Sequence, residues 1–90
     1  MKQDINFTRN GKNSRKTINK SLILMDDNHN TFDHVIDCLV SLCDHNPIQA
    51  EQCALLTHYT GSCEVLVGKP VDLELIKSDL LLYGLDVKII

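Results

Sequence analysis

The strongest constraint on this chain is its punctuation. Between Ser21 and Ile90, breaks recur at Asp26–Asn30, Asp44–Pro47, Gly61, Gly68–Pro70 and Gly84. Each is a cluster of turn-forming side chains, a proline or a glycine, and none sits comfortably inside a helix or a central strand. The intervals leave room for a few turns of helix or one short strand and nothing longer. A chain cut this way folds as a small domain of short elements around one core.

The intervals have distinct periods. Leu22-Ile23-Leu24-Met25 is a short apolar run flanked by polar residues, which predicts a buried strand over 21–25. Phe32, Val35, Ile36, Leu39 and Leu42/Cys43 recur at helical spacing. Asn30 or Thr31 caps that helix, and Asp33 falls in its electropositive first turn. Asn46-Pro47 opens a second helix, with Gln49 in the capping-box position. Ile48, Gln52, Leu55/Leu56 and Tyr59 are expected to form its buried face, and Gly61 ends it. Residues 62–67 set Cys63, Val65 and Val67 against Glu64 and Leu66, the alternation of a half-buried strand. Pro70 opens a third helix with Leu73, Ile76, Leu80 and Tyr83 on one face, stopped by Gly84. Residues 87–90 form a last strand. The expected order is β-α-α-β-α-β, an α+β domain with helices packed on one side of a three-stranded sheet.

Charge divides the chain at the same place as pattern. Residues 1–20 hold six basic side chains and one acid, whereas 21–90 hold three lysines and eleven acids, so a net +5 arm precedes a −8 domain. The arm lacks a periodic apolar face and is expected to be a flexible basic extension, with the folded domain spanning 21–90. An acidic domain without Trp and with only 4% aromatic residues excludes a nucleic-acid reader built on stacking. No apolar run approaches the ~20 residues of a membrane helix, and no apolar stretch follows the basic N-terminus as in a secretory signal. Membrane association is not expected, and a cytoplasmic setting is. Cys38, Cys43, Cys53 and Cys63 form no C-x-x-C pair, so they are read as free, mostly buried thiols filling the core.

Three chemistries compete for the polar residues. Metal binding would draw on Cys53, His58 and Cys63, but their spacing is irregular for zinc, and no metal or other cofactor is expected. Catalysis would use Asp26, Asp27 and His58, yet there is no phosphate loop or nucleophile elbow and little room for an enclosed cleft, so an enzyme is not expected. Recognition asks for less. If the loop Asp26–Asn30 and the helix end carrying His58 meet, they form a polar mouth over Phe32, Val35, Ala54 and Leu56. Such a mouth suits a cation beside an apolar group, as at the N-terminus of a peptide.

The residues also carry a family likeness. Asp26-Asp27-Asn28-His29-Asn30-Thr31-Phe32-Asp33-His34-Val35-Ile36, then Ala50-Glu51-Gln52-Cys53-Ala54, then Thr57-His58-Tyr59-Thr60-Gly61 together resemble the ClpS family of adaptors for Clp-type AAA+ proteases. The likeness spans roughly residues 20–90. It implies a protein that holds the free α-amino group of an N-degron substrate and buries its large first side chain. It also implies a partner unfoldase of the ClpA or ClpC class, which the basic arm would engage. By position, the resemblance implies that Asp26, Asp27, Asn28 and His58 meet the amino group. Asn30, Phe32, Val35, Ala54, Thr57 and Leu85 would form the apolar pocket. Two departures stand out. The family's usual Asn-Asp-Asp run is Asp26-Asp27-Asn28 here, and Phe32 and Ala54 replace residues that are often Met. The alternative from another class is a protein–protein docking module with no pocket for a terminus.

Overall fold

The computed structural model describes residues 18–90. The expected arm over 1–20 therefore lies, apart from its last three residues, outside the described residues. The elements are β1 (Lys20–Met25), α1 (Phe32–Cys43), α2 (Pro47–Thr60), β2 (Ser62–Gly68), α3 (Pro70–Leu82) and β3 (Asp86–Ile89). The order and class are those the sequence predicts, and β1 opens one residue earlier than expected.

The sheet runs β2-β1-β3, with β1 antiparallel to both neighbours. Placing the most apolar strand at the centre follows from its Leu22, Ile23 and Leu24, all nearly inaccessible. Leu22 and Leu24 join one core with Cys38, Leu39 and Cys43 of α1, Ala50 and Cys53 of α2, Leu73 and Leu80 of α3, and Val65 and Val87. All three helices thus cover one face of the sheet. Ile23 belongs to the other face, level with Glu64 and Lys88 on the flanking strands.

The caps explain where the helices begin. Thr31 is the N-cap of α1, and its Oγ1 accepts from His34 N. Asn46 and Gln49 form a reciprocal capping box ahead of Pro47. Gly61 and Gly84 take positive φ, +97° and +87°, where a side chain would be strained. Gly61 turns α2 straight into β2, and Gly84 turns α3 into β3.

Three expected faces are corrected. In α2 the buried residues are Ala50, Cys53, Ala54 and Thr57, while Ile48, Leu55, Leu56 and Tyr59 are exposed. Both sets recur at helical spacing. The small set faces inward because α2 lies close against α1 and β2, where bulky side chains have no room. In β2, Val67 is exposed rather than inward. A bulge lies between the pairs Leu22↔Leu66 and Ile23↔Glu64, so Val65 is an extra residue and the alternation beyond it is shifted. In α3, Tyr83 is the C-cap, 57% exposed, rather than part of the buried face.

Candidate functional site

The loop between β1 and α1 is organised by one carboxylate. Asp27 Oδ1 accepts from His29 N at 2.9 Å and Asn30 N at 2.8 Å, and Oδ2 accepts from Asn30 Nδ2 at 2.8 Å. The His29 ring Nδ1 stands 3.6 Å from Oδ1. Burial pushes the Asp27 carboxyl up. The hydrogen bonds from the Asn30 side chain and from the Asn30 and His29 backbones, with the His29 charge, outweigh that and hold it below the ordinary carboxylate value. The loop therefore keeps a negative charge at its base. Asn30 extends the network, since its Nδ2 also donates to Gly84 O at 2.9 Å. His34 makes a parallel tie from α1, with Nε2 2.8 Å from Tyr83 O.

The loop meets the end of α2. Asp26 N donates to Gly61 O at 2.9 Å, and Met25 pairs with Ser62. The two segments that had to converge do so, because β1 and β2 are neighbours and the loop and Gly61 lie at the same end of that pair. Between them is a cavity of about 50 Å³ lined by Leu24, Met25, Asp26, Asp27, Asn30, Phe32, Val35, Ala54, Thr57 and His58. Polar groups ring its mouth. Asp26 is exposed, and no hydrogen bond engages its carboxylate among the described residues. His58 is exposed on α2, with its ring edge-on to Phe32 at 5.9 Å and to Tyr59 at 5.1 Å. The wall is Val35 from α1 and Ala54 and Thr57 from α2, with Leu24 beneath. Thr57 Oγ1 donates to Cys53 O at 2.8 Å, so its hydroxyl is satisfied inside the helix and its methyl is free to form wall.

Of the candidate residues, Asp26, Asp27, Asn30, Phe32, Val35, Ala54, Thr57 and His58 share this cavity. Asn28 does not line it and stands exposed on the loop. Leu85 does not line it either: it is 2% exposed and packed in the central core. Leu56 lies outside as well, turned to a separate surface groove. Leu24 and Met25 were not expected in the site. Their signal was adjacency, since they end the strand that feeds the acidic loop. Among the described residues, no group of three or more His, Cys, Asp or Glu is placed to hold a metal ion, and no helix is long and apolar enough to cross a membrane.

The arrangement offers two carboxylates and an imidazole around a small apolar hole. That arrangement is suited to a cation at the rim with hydrocarbon below it. No curated protein matches the chain in sequence. Among solved structures, Agrobacterium tumefaciens ClpS2 bound to L-phenylalaninamide superposes with a TM-score of 0.80 at 15% identity, over 83% of this chain and 98% of that one, a likeness of fold. The family model of the ATP-dependent Clp protease adaptor protein ClpS matches residues 16–86. The chain belongs to the ClpS family of Clp protease adaptors.

Proposed function

We propose that this protein reads the N-terminus of its substrates and delivers them to a Clp-type AAA+ unfoldase of the ClpA or ClpC class. The observation that carries the reading is the shared cavity: Asp26, Asp27 and His58 at the mouth, Val35, Ala54 and Thr57 in the wall. An α-ammonium at the mouth pairs with the free carboxylate of Asp26. It also reaches the remaining lone pair of Asp27 Oδ2, which has a single donor from the protein among the described residues. His58 accepts a further N–H. The first side chain enters the hole, and its burial contributes about 1.5–3 kcal/mol. The ligand named for the Agrobacterium protein, L-phenylalaninamide, has the same two parts, a free α-amino group and an apolar side chain.

The cavity is small for this task. At about 50 Å³ it has room for a few water molecules, whereas a cavity that takes benzene measures ~150 Å³. Phe32 supplies the difference. It is the first residue of α1, it is 39% exposed, and it packs edge-on against His58. Swinging that ring outward widens the mouth without disturbing the core. Residues 1–20, with their net positive charge, serve as the arm that contacts the unfoldase, and the setting is cytoplasmic.

Fluorescence anisotropy with a Leu- or Phe-initiated peptide and its acetylated twin tests the reading. Acetylation removes the ammonium and leaves the carboxylates facing a neutral group. The twin is expected to bind about 10- to 100-fold more weakly. Equal affinity of the two, or binding of neither, refutes it.

A further inference from the structure

We propose that Cys53 and Cys63 form an oxidation site, at which a hydroperoxide converts Cys63 to a sulfenic acid and Cys53 closes it into a disulfide joining α2 to β2. The pair lies away from the peptide cavity, and nothing in the adaptor reading uses it. Cys53 is on the inner face of α2 and Cys63 is the second residue of β2. Their sulfurs are 2.9 Å apart, with the Cys53 thiol donating to Cys63 Sγ, and both are free thiols. A disulfide has its sulfurs about 2.05 Å apart, so closure moves them together by only about 0.9 Å. The other two cysteines have no such partner: Cys38 Sγ contacts the His34 ring at 3.7 Å, and Cys43 is buried in the core.

Access sets the order of events. The two sulfurs lie on a groove of about 220 Å³ together with His45, Gln49, Gln52, Leu56, Glu64 and Val65. Cys63 is half-buried there, while Cys53 is 6% exposed beneath it. A small hydroperoxide therefore reaches Cys63 first. Burial, and then the contact with Cys63, push the Cys53 thiol far above the usual cysteine range, which leaves it protonated and inert to an external oxidant. It is nonetheless in contact with whatever forms on Cys63. His45 lines the same groove, where its Nε2–H donates to Val65 O at 2.9 Å and holds the ring against β2.

The steps balance. Cys63 sulfur attacks the peroxide O–O bond, takes up one hydroxyl as S–OH, and its proton leaves with the other oxygen as water or an alcohol. Cys53 sulfur then attacks the sulfenic sulfur and displaces that hydroxyl, which departs as water with the Cys53 proton. Two thiols lose two electrons and two protons, and the peroxide is reduced. The product closes a short loop, since the cysteines are ten positions apart. It locks the α2 turn bearing Ala54 and Thr57 onto the strand beside it.

The test is a peptide map of the full chain treated with hydrogen peroxide, quenched, unfolded and alkylated. The expected result is a cross-linked Cys53–Cys63 peptide, lost on treatment with dithiothreitol, with Cys38 and Cys43 alkylated. The oxidised protein is expected to melt several degrees higher than the reduced form. In Cys53→Ser the reaction stops one step earlier, and dimedone labels Cys63. Wild-type protein that accumulates dimedone-reactive or over-oxidised Cys63 with Cys53 still alkylatable overturns the proposal. So does wild-type protein that keeps both thiols, or pairs Cys63 between molecules. The readout is covalent, so it stands or falls independently of peptide binding.

Discussion

Asp27 should be worth more to this domain than any other surface acid, and Asp27→Asn measures it. Its side chain is 11% exposed and accepts three N–H donors, two from the backbone and one from Asn30 Nδ2. Hydrogen bonds to a charged group contribute about 1.5–3 kcal/mol each, against about 0.5–1.5 for neutral pairs. Asparagine keeps one oxygen for the two backbone donors, at the neutral value. Its amide nitrogen replaces Oδ2 and confronts the Asn30 amide, donor against donor. Either Asn30 turns and gives up Gly84 O, or one N–H goes unpaired. The gross loss is about 2–4 kcal/mol, and the wet outer rim of the loop brings the expectation to about 2 kcal/mol. Urea unfolding at neutral pH reads this as a lowered midpoint with an unchanged slope. The pH dependence is a second reading. The folded carboxyl titrates below its ordinary value of 3.8, so its stabilisation is complete above that pH and is lost as pH falls through the lower folded value. The gap between wild type and variant should be constant near neutrality and shrink below about pH 3.8. A variant within about 0.5 kcal/mol of wild type, or a gap that persists undiminished in acid, refutes the idea that this carboxylate organises the loop.

Three further expectations follow from the same geometry. His58→Ala should weaken a Leu-initiated peptide by about 10-fold or more in anisotropy while the urea midpoint holds, because the ring is exposed, packs edge-on against Phe32 and Tyr59, and makes no hydrogen bond among the described residues. Phe32→Ala should favour Phe- and Trp-initiated peptides over Leu in competition binding, since it enlarges a cavity of about 50 Å³ at the mouth; an unchanged ranking would show that the ring is not the limiting wall. Asn46→Ala should cost about 1 kcal/mol in urea unfolding by removing the reciprocal cap of α2, with peptide affinity unchanged in the folded protein.

Element order was legible in this sequence because it is written in local chemistry. Asn46-Pro47-x-Gln49 starts a helix wherever it occurs, and Gly61 and Gly84 stop one because each takes a positive φ. Which face of α2 turns inward was not legible. Ile48, Leu55, Leu56 and Tyr59 hold more apolar area than Ala50, Cys53 and Ala54, so a hydrophobicity pattern selects the wrong stripe. The inward face was chosen by separation: only small side chains let α2 approach α1 and β2. Val67 failed for a different reason, since a single bulged residue inverts every later side chain. Within the site, loop residues and His58 were legible as a group, through turn chemistry and family likeness. Asn28 and Leu85 were misplaced because matched position says nothing of rotamer or depth. Leu24 and Met25 were missed because apolar side chains look alike in core and pocket floor, and only their adjacency to the acidic loop sets these two apart.

On the proposed reading, the site accounts for selective recognition by a small domain. An adaptor of this kind must reject internal Leu and Phe side chains, which vastly outnumber terminal ones, and must also reject termini that begin with polar residues. An apolar hole alone fails the first requirement and a carboxylate alone fails the second. Each contributes a modest energy, so neither alone offsets the entropy of immobilising a peptide, and only a ligand that satisfies both binds. For the two to add, the charge must be fixed relative to the hole before the ligand arrives. The hydrogen bonds of Asp27 do that work at folding: Asn30 holds Asp27 with one hydrogen of its amide and Gly84 O with the other, which ties the acidic loop to the α3–β3 turn. The Asp26 N–Gly61 O bond fixes the same loop to the end of α2, next to His58. Loop ordering is thereby charged to the stability of the domain and not to binding. The same economy predicts that a substitution at Gly84, which lies outside the cavity, weakens peptide binding by loosening the carboxylates, while added peptide restores part of the lost thermal stability.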